Sequence, residues 1–161
     1  MNNSTQQEKD LFFPALSVFL PAVVIAVAFL CGSYETARAD DSLIPIQTIM
    51  LESRGESLEG QIAVGEIIRN RAFKAGRTFE AICMAPRQFS AWNNRLIANK
   101  ALSGMPGSVY QRAANAWQLS ETSNLTKGST HYHTLKVHPY WAKGHKPVVI
   151  IGNHVYYRGI K

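Results

Sequence analysis

Between Leu11 and Cys31 the chain reads LFFPALSVFLPAVVIAVAFLC, a run with no charged side chain. At about 1.5 Å of helical rise per residue, such a run reaches across a hydrocarbon layer of about 30 Å. A run this long is not a core helix of a small domain, so it is read as a membrane or export element. Pro14 and Pro21 would kink a spanning helix, although lipid-embedded helices tolerate proline. Downstream, Ala37 and Ala39 flank Arg38 in a small-x-small pattern that suits signal cleavage before Asp40. The head MNNSTQQEKD is not net positive and the apolar run exceeds a usual signal core, so a retained anchor stays open beside a removed signal. Leu30 stands where lipid attachment at Cys31 would need a small residue. The expectation is a signal peptide or signal-anchor with linker over residues 1–39. The folded unit then occupies 43–161 and works in the periplasm or cell wall, tied to the inner membrane by residues 11–31 if they are kept.

The remaining length suits one domain with a real core. From Asp40 to Lys161 there are 15 Lys and Arg against 8 Asp and Glu, a difference of +7. Polyanions therefore attract it, whether nucleic acid, anionic lipid or acidic wall polymer. An export segment and the lack of a dense Lys/Arg stripe with interleaved aromatics argue against nucleic acid. Only Cys31 and Cys83 occur, which argues against a disulfide framework and a cysteine zinc site. Cys83, in FEAICMA, reads as a small buried hydrophobe.

The first helix starts near Leu43, with Ser42 as its N-cap and Pro45 in the first turn, and stops around Arg54 and Gly55. Ser57 caps a second helix with Glu59 in its first turn and Ile62, Ile67 and Ile68 on its apolar face, ending near Arg71 or later. A short helix follows from Thr78 to Met84, closed by Pro86, and another from Ser108 to Ser120 that gathers Val109, Ala113, Ala116 and Trp117 on one side. After Gly128 the pattern turns to strands: STHYHT, then VVIIGNHVYY as a hairpin about Gly152 and Asn153. The fold class is α+β, mainly helical first, with a small C-terminal antiparallel sheet.

Three glutamates crowd LESRGESLEGQ in an otherwise basic chain. Glu52 falls at a helix C-terminus, where unpaired carbonyls and the macrodipole resist its ionisation and suit it to donate a proton. Cleaving a glycosidic bond needs such a donor at the leaving oxygen. Glu56 and Glu59 start the next helix, where the dipole favours their anions. Helix capping alone, or a hard-cation site, would also account for three carboxylates, though a calcium loop's ligand spacing is missing.

LESRGESLEGQIAVGEIIRNR resembles the E-A-R-G-E…G-Q-x-A-V…N-R signature of the cell-wall hydrolase family typified by the spore cortex-lytic transglycosylase SleB. RQFSAW, GSTHYHT, HPYWAK and IIGNHVYYR resemble its later blocks, in order, from Leu43 to Lys161. The resemblance implies a lysozyme-like α+β fold and cleavage of the N-acetylmuramic acid to N-acetylglucosamine bond of peptidoglycan, with Glu52 as acid and base. Ser53 stands for the usual Ala, and Asn153 and Val155 lie in a variable stretch.

Beyond Asp41 there is no aspartate, so a second catalytic carboxylate must be Glu56, Glu59, Glu66, Glu80 or Glu121. A lytic transglycosylase needs none, because the muramic acid's own C6 hydroxyl attacks the anomeric carbon. Two-carboxylate hydrolysis would use Glu56 or Glu59 to activate water. Gln88, Phe89 and Ser90 are candidate sugar contacts, with Phe89 and Trp92 equally suited to the core. In STHYH, His131 and His133 share one strand face while Thr130 and Tyr132 share the other. The second pair is preferred for the cleft, beside Glu56, and Asn70 and Arg71 are read as bracing the second helix against the acid's loop. His131 and His133, with His138, His145 or His154, would also suit zinc, so a zinc-dependent amidase or peptidase is one alternative and a non-catalytic wall-binding module another. The preferred reading assigns no metal ligand and no cofactor. Within it, an endolysin held at the inner membrane and a remodelling enzyme remain equally open.

Overall fold

The computed structural model describes residues 41–160; the apolar run, the cleavage point and the linker lie outside them. Helix α1, Leu43–Ser53, buries Ile46, Thr48, Ile49 and Met50. Its start departs from expectation: the Ser42 side chain makes no capping hydrogen bond and instead accepts one from the Trp117 indole at 3.1 Å. An indole N–H buried without a partner is costlier than an uncapped helix end near solvent. Helix α2, Leu58–Ala75, does start on a side-chain cap, the Ser57 hydroxyl accepting from Gly60 N, and ends on Gly76 in the left-handed conformation.

Every residue of α2 from Gly60 to Ile68 is buried, because it is packed round by the other elements rather than lying on a surface. Gly65 permits the closest approach. A Cβ there would come within 2.8 Å of the Ser120 Cβ, and Ser120 ends helix α5, Gly107–Leu119. One turn on, Arg69 donates to Ser120 Oγ and the Trp117 carbonyl, its guanidinium 3.8 Å from the Trp117 ring centre. A cation at the C-terminal end of α5 is thereby both hydrogen bonded and stacked. Helix α3, Phe79–Cys83, capped by Thr78, matches the expected short helix. Helix α4, Arg95–Ser103, was not expected.

The sheet has the order β1-β3-β2, all antiparallel: β1 His131–Thr134, β2 Val149–Ile151 and β3 His154–Tyr157. The turn at Gly152 and Asn153 joins β2 to β3 as the sequence suggested, with Ile151 opposite His154. Strand alternation sends Tyr156 into the main helical core and Val155 and Tyr157 into a smaller cluster with Ile160, Trp141 and Ala142. Central β3 is thus covered on both faces, and β1 and β2 are the edges, β1 reaching α1 through the Tyr132 hydroxyl bonded to Glu52.

Buried Glu66 ties the remaining loop to α2: its carboxylate accepts from Ser123 Oγ, Leu125 N, Thr126 N and Thr126 Oγ1. Asn70 Nδ2 donates to the Ser129 carbonyl at 2.9 Å and Arg71 Nε to the Thr130 carbonyl at 2.7 Å. These contacts deliver β1 to the end of α1.

Candidate active site

Glu52, the penultimate residue of α1, lines an open groove of about 850 Å³. Its Oε1 accepts from the Ala91 amide at 2.9 Å and, more weakly, from Ser90 Oγ at 3.4 Å. Its Oε2 accepts from the Tyr132 hydroxyl at 3.1 Å. Burial, then the Glu52 carboxylate, hold the Tyr132 phenol well above its usual value, so at neutral pH it is the donor of this pair. One carboxylate is thereby fixed from two sides, by the segment after α3 and by β1.

Arg71 locks that segment. Nη1 donates to the Gln88 carbonyl at 2.9 Å while the guanidinium lies 4.8 Å from the Phe89 ring centre. Burial lowers its pKa, with Tyr132 and Glu52 partly offsetting that. Sequence reasoning gave Arg71 a bracing role; it braces the Gln88 segment and the entry to β1 together, and lines the groove as well. Arg87 lines it too, from a left-handed backbone at φ 63° that a side-chain-bearing residue adopts at a cost.

The sequence-derived residues separate. Glu52, Gln88, Ser90 and Tyr132 meet at the groove. Phe89 is 1% exposed and Trp92 is 8% exposed, so both belong to the core, where a large apolar ring is most favourably placed. Phe89 therefore supports the groove from beneath rather than presenting a face to a sugar. Thr130 is buried at the foot of β1, its hydroxyl 3.1 Å from His131 Nδ1.

Glu56 is engaged elsewhere. It accepts from Asn153 N at 3.2 Å and Asn153 Nδ2 at 3.1 Å, and its Oε1 lies 3.8 Å from His154 Nδ1. Burial lowers the His154 pKa despite the neighbouring Glu56 and Glu52, with His133 adding to the decrease, so the imidazole is neutral near pH 7. Among the described residues, Glu52 is the one carboxylate lining the groove. Glu66 is held by its loop, while Glu59, Glu80 and Glu121 are exposed away from it.

His131, His133, Val137 and Trp141 also line the groove, and sequence reasoning did not place them there. The missed signal was the edge position of β1, which lets side chains from both strand faces reach one cleft. The histidines are otherwise engaged: His133 Nε2 lies 3.1 Å from the Tyr157 hydroxyl and its Nδ1 2.8 Å from the Thr134 carbonyl oxygen. Among the described residues no three His, Cys, Asp or Glu side chains converge as a metal site would require.

Residues 55–157 match the family model for cell wall hydrolases. The chain belongs to the cell wall hydrolase family. Within this family the match takes in Gln88, Ser90, Tyr132 and the whole sheet, and begins three residues after Glu52. The fold is similar to the crystal structure of the catalytic domain of the Bacillus cereus SleB protein, with a TM-score of 0.58 and 23% identity over 73% of this chain and 89% of that one. It is equally similar to the catalytic domain of the germination-specific lytic transglycosylase SleB from Bacillus anthracis, with a TM-score of 0.56 and 23% identity over 72% and 92%. The helical part with a small three-stranded sheet is thus the SleB catalytic-domain arrangement. No curated protein matches the chain.

Proposed function

We propose that this cell wall hydrolase cleaves the N-acetylmuramic acid to N-acetylglucosamine bond of peptidoglycan as a lytic transglycosylase, with Glu52 as its acid and base. The observation that carries the reading is that, among the described residues, one carboxylate lines the groove and is hydrogen bonded at both oxygens. Ala91 N–H and Ser90 anchor Oε1, which leaves Oε2, beside the Tyr132 hydroxyl, to face the scissile oxygen. Protonated Glu52 gives its proton to the leaving glucosamine oxygen as the bond to C1 breaks. The muramic acid's C6 hydroxyl then bonds to C1, and Glu52 takes the hydroxyl proton, which restores the acid and leaves a 1,6-anhydro end. No water and no second carboxylate enter the balance, which accords with Glu56 being held by the hairpin.

Glu52→Gln keeps the shape and, with its amide oxygen at the Oε1 position, the contacts from Ala91 and Ser90; its NH2 then faces the Tyr132 hydroxyl as a donor, and the transferable proton is gone. Its rate on purified sacculi is expected to fall roughly a hundred- to ten-thousand-fold with an unchanged melting temperature. Unimpaired clearing by this variant would leave a wall-binding module as the better reading. Mass spectrometry of released fragments separates the chemistries: anhydro ends support the transglycosylase, whereas reducing ends would mean hydrolysis.

The export segment belongs to the same reading, since the substrate lies outside the inner membrane. We place the protein in the periplasm or wall, either free after cleavage before Asp40 or held by residues 11–31, acting as an endolysin or in wall remodelling. Among the described residues no helix is long and apolar enough to cross a membrane. Sequencing the N-terminus of the membrane-bound and released protein distinguishes the two forms.

A further inference from the structure

Trp141 is a wall of two depressions at once. On one side it closes the Glu52 groove beside His131 and His133; on the other it lines a pocket of about 520 Å³ with Tyr140, Lys143 and His145. A third hollow, of about 420 Å³ and flanked by His138, shares Tyr140 and Lys143 with that pocket and His133 with the groove. Through these shared residues the three depressions adjoin, leading from the groove past His133 and Trp141 onto the 138–145 segment.

The chemistry of this extension differs from that of the groove. Among the described residues no carboxylate lines either hollow, and a lysine and histidines do. The Trp141 ring is held edge-on or tilted against His131, His133 and Tyr157, with centre-to-centre distances of 5.3, 5.7 and 5.5 Å. Tyr140 beside it is 90% exposed. A fixed aromatic wall next to the Lys143 ammonium and imidazole N–H groups suits a ligand with a short apolar body and carboxylate ends. Because Trp141 also bounds the groove, that ligand is best covalently joined to whatever occupies the groove. Muramic acid, the groove's occupant under the reading above, carries through its lactyl group a short peptide with several carboxylates.

We propose that the Trp141 surface is a subsite for the stem-peptide carboxylates, which makes the protein selective for peptide-bearing over stripped glycan; the inference rests on the groove holding muramic acid. A free phosphate polymer of the wall would answer to the same charge, but would have no reason to share a wall with the groove.

The test uses the full chain and two substrates, sacculi with stem peptides intact and the same sacculi stripped by an amidase, read as the ratio of initial rates. Wild type favours the intact substrate, and Lys143→Glu lowers the ratio about tenfold, because like charge now faces the carboxylates. Tyr140→Ala lowers it in the same direction. A ratio unmoved by both variants overturns the proposal. In parallel, the Glu52→Gln chain with and without Lys143→Glu is titrated with a soluble muramyl tripeptide and with polyglycerol phosphate. Lysine-dependent binding of the muramyl tripeptide supports the subsite. Lysine-dependent binding of the phosphate polymer alone, or tripeptide binding indifferent to Lys143, overturns it. Should wild type cut neither substrate, the catalytic reading falls while the titration still decides the subsite.

Discussion

Glu52 and Glu56 are four residues apart and have opposite uses. The first ends a helix with its carboxylate turned into a groove, and the second bridges to a hairpin nearly a hundred residues away. Arg87 provides a test of how far groove chemistry and stability separate at a single residue. Its left-handed backbone costs a side-chain-bearing residue about 1 kcal/mol. Arg87→Gly is therefore expected to hold or raise stability by about 0.5–1 kcal/mol in urea unfolding while weakening glycan cleavage, since the guanidinium lining the groove is lost. A destabilised variant would show that the side chain is needed for folding. Cys83 behaves as the sequence suggested. It is fully buried, and desolvation pushes its thiol up to about 12, with Thr48 and Arg71 opposing. A chain starting at Asp40, whose one thiol is Cys83, should leave a thiol-reactive chromophore unconsumed until denaturant is added, and rapid labelling at neutral pH would contradict its burial.

At the scale of elements, the β2–β3 hairpin depends on α2's preceding turn. Asn153 was noted as a variable position, yet its amide and side chain are both bound by Glu56. Glu56→Ala removes two hydrogen bonds to exposed Asn153, whose donors water then takes up, and is expected to cost about 0.5–1.5 kcal/mol in chemical unfolding. Gly152→Ala tests the same contact from the other side: a Cβ there would collide with Glu56 Oε2, at a backbone of φ +55°. A cost below about 0.5 kcal/mol for both would mean that the clamp is absent in solution. Helix α4 escaped sequence reading because its pattern is weak: only Ala98 is buried, while Leu96 and Ile97 are 83% and 67% exposed. Its start is nevertheless local, Asn94 Oδ1 accepting from Ile97 N. The α2 and α5 boundaries were legible because apolar spacing and stop signals agree with the packing that resulted.

For the whole molecule, the pH dependence of folding follows from two histidines at the sheet. In the folded state burial holds His131 and His154 below their ordinary value of 6.5; Arg71 and Lys74 add to this at His131, while Glu56 and Glu52 oppose it at His154. As pH falls through 6.5 the unfolded chain takes up these protons first, so their contribution is complete above that value and is lost below it, toward the folded values. The melting temperature should drop on acidification from pH 7, and a chain carrying His131→Asn and His154→Gln should drop less. Equal slopes would remove these two residues as the cause.

Helix spacing, the Ser57 cap, the strand-rich end with its Gly152 turn and the crowded glutamates all report short-range chemistry, and one chain of letters carries it in full. Which glutamate faces a cleft is a different kind of fact. Glu52 reaches the groove because Ala91, Tyr132 and Arg71 arrive from segments 19 to 80 residues away. Phe89 is withdrawn into the core, and Glu56 is claimed by Asn153, for the same reason. Burial and partnership across such separations are properties of the packed chain, and no local pattern encodes them.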